Sequence, residues 1–207
     1  IVKEGTYTKL LIANRNDTTL TMMLFTGSVA NAPAAITQVQ TGGISFIDIA
    51  LTPGPCGQVY GVGLGAVVSG SATQLFALTF PDSIGPGVVI THLDTLPAIA
   101  RRVSYFQGKG QRVATVGTLS TGELFFYHIA ENPASAAPVL QTYSSISQPH
   151  GFVMIEDSGT VFAFSTSRAA TDNPVVRWQY DQPCGPLAQD TTVAPTYVYT
   201  TPGDQAV

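Results

Sequence analysis

The side chains able to do chemistry in this sequence are few, and they fall in short polar clusters between apolar runs. Asn14-Arg15-Asn16-Asp17 and Glu156-Asp157-Ser158-Gly159 each gather carboxylate, amide or hydroxyl groups within four residues. Oxygen donors collected on one loop are what calcium takes, so Asn14, Asp17, Glu156 and Asp157 are candidate ligand-binding residues and calcium a candidate ion. Turn formation is the commoner reason for such clusters. Asp, Asn and Ser side chains bond the nearby backbone, and Gly permits conformations that tight turns need. His92, His128 and His150 lie too far apart for the paired spacing of a metal site. His150, which immediately precedes an apolar run, and Trp178, the one tryptophan, complete the ligand-binding candidates. No catalytic residue is assigned. No Ser or Cys stands in a nucleophile elbow, and spacing alone assembles no acid–base pair.

Two further motifs are weaker than they look. Gly61-Val62-Gly63-Leu64-Gly65-Ala66 satisfies the Gly-x-Gly-x-x-Ala form of a dinucleotide fingerprint. That mechanism needs a helix N-terminus to hold a pyrophosphate, and Val67-Val68-Ser69-Gly70-Ser71 is a poor helix, so the glycines are expected in a flexible loop between two strands. Cys56 and Cys184 are too few for a disulfide framework or a zinc site.

Elements that position these residues must be built from an unusual composition. Of 207 residues only 11% are charged, against roughly 25% in ordinary soluble domains, while there are 20 Gly and 14 Pro. Such a chain is too apolar for intrinsic disorder and too poor in Glu and Lys for a solvated helical bundle. Nine Lys plus Arg against thirteen Asp plus Glu give a net charge of −4, which supplies no basic stripe for nucleic acid. No apolar window is long enough to span a membrane as a helix. Abundant Ser and Thr with little Lys suit an extracellular, cell-surface or virion-surface location.

Four segments share one order: an apolar run, a turn, a second apolar or aromatic run, a longer loop and a third apolar run. They begin with Lys9 to Ala13, Gln58 to Val62, Arg112 to Val116 and Gly151 to Ile155. The runs are five to seven residues long, rich in β-branched and aromatic types and bounded by Gly, Pro, Asn or Asp, as strands are. They are apolar at both parities, which predicts sheets buried on both faces. Additional strands fit before the second and third segments, at Ile44 to Ile49 and Ala100 to Phe106. Matching positions Leu20, Leu75, Leu124 and Val161 are 55, 49 and 37 residues apart. In this alignment the Asn14 and Glu156 clusters occupy equivalent hairpins.

With this repeat the chain resembles β-propeller repeat proteins. The resemblance implies one all-β domain over 1–207, propeller-like, with four repeats of three to four antiparallel strands at about 7–43, 44–96, 97–145 and 146–185. A strand at 195–200 would then close the ring by joining the first repeat, which otherwise lacks a preceding inner strand. A β-sandwich or jelly roll is the alternative. Within a propeller, Cys56 and Cys184 fall on opposite faces, so no bond between them is expected. The functional expectation is a non-enzymatic extracellular or surface domain that packs in an assembly, with other protein subunits or further copies of itself as partners. Alternatives are a glycan- or ligand-binding propeller module, a viral capsid or spike domain, and a propeller hydrolase or lactonase.

Overall fold

In the computed structural model, residues 1–54, 58–67, 72–81, 83–108, 111–118, 122–130, 138–144, 149–157, 160–167, 175–180 and 195–199 are described. Among them no helix occurs, and the apolar runs form four consecutive antiparallel meanders. The first sheet is β1 (Val2–Glu4), β2 (Tyr7–Ala13), β3 (Thr19–Thr26) and β4 (Ala35–Gln40). The second is β5 (Ile44–Pro53), β6 (Val59–Val67), β7 (Gln74–Phe80) and β8 (Val89–Thr95). The third is β9 (Ala100–Gly108), β10 (Gln111–Thr118), β11 (Glu123–His128) and β12 (Val139–Ser144). The fourth is β13 (Pro149–Asp157), β14 (Thr160–Ser167), β15 (Val175–Tyr180) and β16 (Pro195–Tyr199). Each strand pairs with its neighbour in sequence, the pattern of propeller blades rather than of a two-sheet sandwich. The chain divides into two compact units, one holding the first two sheets and one the last two.

Two expectations about the strand count are corrected. Residues 195–199 pair with β15 as the outer strand of the fourth sheet and do not join the first, whose own first strand is Val2–Glu4. Three residues are too few to show a period, so β1 leaves no sign in the amino-acid pattern. The fourth repeat is also out of frame by one strand. The runs opening the first three segments are second strands, in β2, β6 and β10, whereas Gly151 to Ile155 belongs to the first strand, β13. Counting third strands instead, Leu20, Leu75, Leu124 and Val176 are 55, 49 and 52 residues apart, a more even period than before.

In the first unit, Val2, Leu11, Leu20 and Val39 of the first sheet meet Phe46, Val59, Phe76, Leu78 and Phe80 of the second in one buried cluster. Phe46 and Phe76 pack edge to face at 5.6 Å between centroids. Each such large side chain contributes about 1.5–3 kcal/mol when fully buried. The glycines of the apparent nucleotide motif lie inside β6, not in a loop. Their missing side chains make room for residues of the adjoining β5: a Cβ at Gly61 would stand 2.5 Å from Leu51 Cδ2, and one at Gly65 2.9 Å from Ile44 Cγ2. At Gly63 it would collide with the Phe46 ring. Packing therefore explains the alternation of Gly with Val and Leu, without any phosphate.

The turn between the first two sheets passes through Gly42 and Gly43, at φ 67° and 94°, a region that disfavours other residues. Thr41 beside it is buried; its hydroxyl bonds the Thr18 and Ile44 carbonyls, and Ser45 Oγ donates to the Arg15 carbonyl. These bonds fasten the β4 to β5 connection to the β2–β3 hairpin. In the second unit the equivalent core is Val113, Leu124 and Phe126 against Ala163, with Phe152 and Met154 packed onto it.

Candidate functional site

Of the residues singled out from sequence, Asn14 and Asp17 share one hairpin in the first unit and Glu156 and Asp157 the end of one strand in the second. Asn14 and Asp17 form the hairpin between β2 and β3, the second and third strands of their sheet. Glu156 and Asp157 end β13 at the hairpin between first and second strands. The two clusters therefore occupy different corners of their sheets, and the expected equivalence is a consequence of the one-strand frame slip. At the first corner the Asp17 amide donates to the Asn14 carbonyl at 3.0 Å. Asn14 Nδ2 donates to Thr19 Oγ1 at 3.1 Å and to Thr21 Oγ1 at 2.9 Å. That is turn chemistry, with the amide spent on holding the hairpin. Glu156 is exposed and lies beside the end of β9, where its Oε2 would be 3.1 Å from a Cβ on Gly108. Among the described residues no group of three or more His, Cys, Asp or Glu is placed to hold a metal ion. His150 is the extra residue where the β13–β14 register shifts between Pro149 and Gly151, and Trp178 pairs with Ala163; the side chains of both lie outside the described residues. Cys56 and Cys184 lie outside them altogether.

Two polar positions that the sequence did not flag stand out. The first joins both sheets of the first unit. Lys9 Nζ is 2.9 Å from Glu4 Oε2 and also donates to Ser83 Oγ and to the Ile84 carbonyl, while Ser83 Oγ donates to Glu4 Oε2 at 2.7 Å. Burial pushes the Glu4 carboxyl up, but hydrogen bonds from Lys9 and Ser83, the Lys9 charge and the Ile84 amide outweigh it and hold the group below its ordinary value. This ion pair is a clasp between β1, β2 and the loop after β7.

The second is Asp48. It is the only carboxylate within the apolar run Ile44 to Ile49, and it is half-buried on a first strand. The β5–β6 register shifts between Phe46 and Asp48, leaving Ile47 unpaired. That bulge keeps Ile44, Phe46, Ile49 and Leu51 all on the face packed into the core cluster, and it turns Asp48 to the opposite face, across from Leu64. Bulges that re-aim one side chain are common beside active sites. A lone Asp in an otherwise apolar strand was the signal available in the sequence.

No protein-family model matches the chain, and no curated protein matches it in sequence. Solved structures match in fold. An exo-β-1,3-galactanase from Phanerochaete chrysosporium superposes over 89% of this chain and 47% of its own, at TM-score 0.59 and 11% identity. A GH43 β-1,3-galactosidase does so over 89% and 43%, at TM-score 0.62 and 11% identity. An exo-1,5-α-L-arabinanase from a bovine ruminal metagenomic library covers 94% and 73%, at TM-score 0.59 and 9% identity. The chain thus spans less than half the length of the first two. At such identities the likeness establishes the fold, a β-propeller. It also overturns the expectation of a non-enzymatic structural domain, because the three solved structures just named are a galactanase, a galactosidase and an arabinanase. Among the described residues no helix is long and apolar enough to cross a membrane.

Proposed function

We propose that this chain is a glycan-acting β-propeller of the glycoside-hydrolase kind. The observation that carries the reading is the fold: the same blade arrangement, over about nine-tenths of this chain, belongs to enzymes that act on β-1,3-linked galactose and 1,5-linked arabinose chains. Cleaving a glycosidic bond takes a proton donor for the leaving oxygen and a second carboxylate that attacks or activates water. We assign one of these two roles to Asp48. It is the carboxylate set by a bulge on a first strand, away from the core cluster and among apolar neighbours. Glu4, by contrast, belongs to the clasp with Lys9 and Ser83 that joins the two sheets.

The test is incubation of the purified chain with β-1,3-galactan and with 1,5-α-arabinan, followed by chromatography of released sugars. Release from either polymer supports the reading. Neither release nor binding from any of a broad panel of plant and microbial glycans contradicts it. Binding without release would favour the glycan-binding module over the hydrolase.

A further inference from the structure

The bulge beside Asp48 has a cause in the core beneath it. Ile44, Phe46, Ile49 and Leu51 of β5 all pack on the same cluster. Side chains two residues apart share a face of a strand, as Ile44 and Phe46 do, and so do Ile49 and Leu51. Phe46 and Ile49 are three apart, so both reach the core only if one extra residue falls between them. It falls at Ile47: Phe46 pairs with Gly65 and Ile49 with Gly63, leaving Ile47 and Asp48 opposite the single Leu64.

The two sides of this bulge are held by side chains seated over glycines of β6. On the far side, Leu51 lies against Gly61, its partner in the ladder. On the near side the fully buried Phe46 ring reaches from Gly65 to Gly63, along the stretch of β6 that faces the bulge. Its Cδ1 is 3.3 Å from where a Gly65 Cβ would stand, and a Cβ on Gly63 would run into the ring. Phe76 of β7, the partner of Gly63, meets the ring edge to face, and Leu78 Cδ1 closes the slot 3.1 Å from the same Gly63 position. Moving the extra residue from Ile47 to Phe46 would take the ring off both glycines and set Ile47 over Gly65 instead.

We infer that Phe46, seated over Gly63 and Gly65, is a positioning residue for Asp48: it forces the extra residue to fall immediately before the carboxylate. A bulge bends its strand and sharpens the local twist, so its place sets the direction in which the Asp48 side chain leaves β5. The effect on glycan cleavage rests on the role proposed above for Asp48, whereas the placement of the bulge does not.

Cross-strand contacts measured by NMR on the 207-residue chain test it. In the wild type, Phe46 ring protons should contact the Hα protons of both Gly63 and Gly65, and Asp48 should lie opposite Leu64; a ring that contacts neither glycine overturns the inference. Gly63→Ala, which fills the slot, should bring Ile47 opposite Gly65, and adding Phe46→Leu, which makes room for the new methyl group, should return Phe46's position to Gly65. Phe46→Thr should move Ile47 in the same way and carries the test if Gly63→Ala does not fold. Variants that unfold at lower temperature but keep Ile47 out of the ladder overturn the inference, since Phe46 would then serve stability alone. On a glycan that the wild type cleaves, Gly63→Ala should lower kcat by about tenfold or more with little change in KM, and the double variant should recover. A moved bulge with unchanged cleavage would leave the positioning of Asp48 standing and remove its catalytic role.

Discussion

Strands β6 and β7 of the second sheet and β10 and β11 of the third are buried on both faces, whereas β13 of the fourth is buried on one. On β6 and β7, Val59, Phe76, Leu78 and Phe80 fill one face and Val62, Leu64, Leu75 and Ala77 the other, all nearly inaccessible. On β10 and β11, Val113, Leu124 and Phe126 are matched by Ala114, Val116, Phe125 and Tyr127 behind them. On β13 the residues alternating with Phe152 and Met154 are exposed. Yet the strands of all four sheets have the same apolar character at both parities. The pattern of a strand therefore reports what its faces are fit to meet, and only the fold reports whether they meet it.

Substitutions should follow that division. The largest effect is expected from Phe126→Ala in the third sheet, about 3–5 kcal/mol from lost burial and the cavity left behind; urea unfolding measures it, and a loss no larger than that of Ile155→Ala would erase the distinction between the sheets. Next comes Gly63→Ala, where the new methyl group meets the Phe46 ring, with an expected loss of about 1–3 kcal/mol. Unchanged stability in that variant would mean that β5 shifts freely on β6.

Glu4→Gln should cost about 1 kcal/mol at neutral pH, as for a partly exposed ion pair with extra hydrogen bonds. Because the folded state holds the Glu4 carboxyl below its ordinary value, its contribution is present above the ordinary carboxylate range and is lost as pH falls through the lowered folded value. Unfolding curves of wild type and variant should converge in acid, and a constant gap at all pH values would show that the clasp acts by packing alone. The smallest effect, within about 0.5 kcal/mol, is expected for Val153→Thr on the open face of the fourth sheet.

Much of the fold was legible because strand residues and turn residues alternate so clearly here. The runs at 44–49 and 100–106 have the composition of strands and fall within β5 and β9, and the meander order follows from them. Two things were hidden for physical reasons. β1 is only three residues long, so no periodicity can reveal it, and missing it shifted the alignment of the fourth repeat and misplaced both 195–199 and the two carboxylate hairpins. The glycines at 61, 63 and 65 look like a loop because their purpose, admitting Leu51, Phe46 and Ile44 from the adjoining strand, appears only once β5 is in place. Sites were less legible than strands. Asn14 and Asp17 announced a turn and made one, whereas Asp48 announced nothing until the bulge set it apart from the residues on either side.

Asp48 ties the comparison to function, since it lies in a sheet whose neighbouring β6 and β7 are closed in on both faces but does not itself belong to the core. The most direct test is the Asp48→Asn variant assayed against the glycan that the wild-type chain cleaves, with thermal unfolding followed in parallel. We expect sugar release to fall by at least about a hundredfold while the unfolding temperature stays close to that of the wild type. Full activity in a folded Asp48→Asn protein would contradict the assignment of the site.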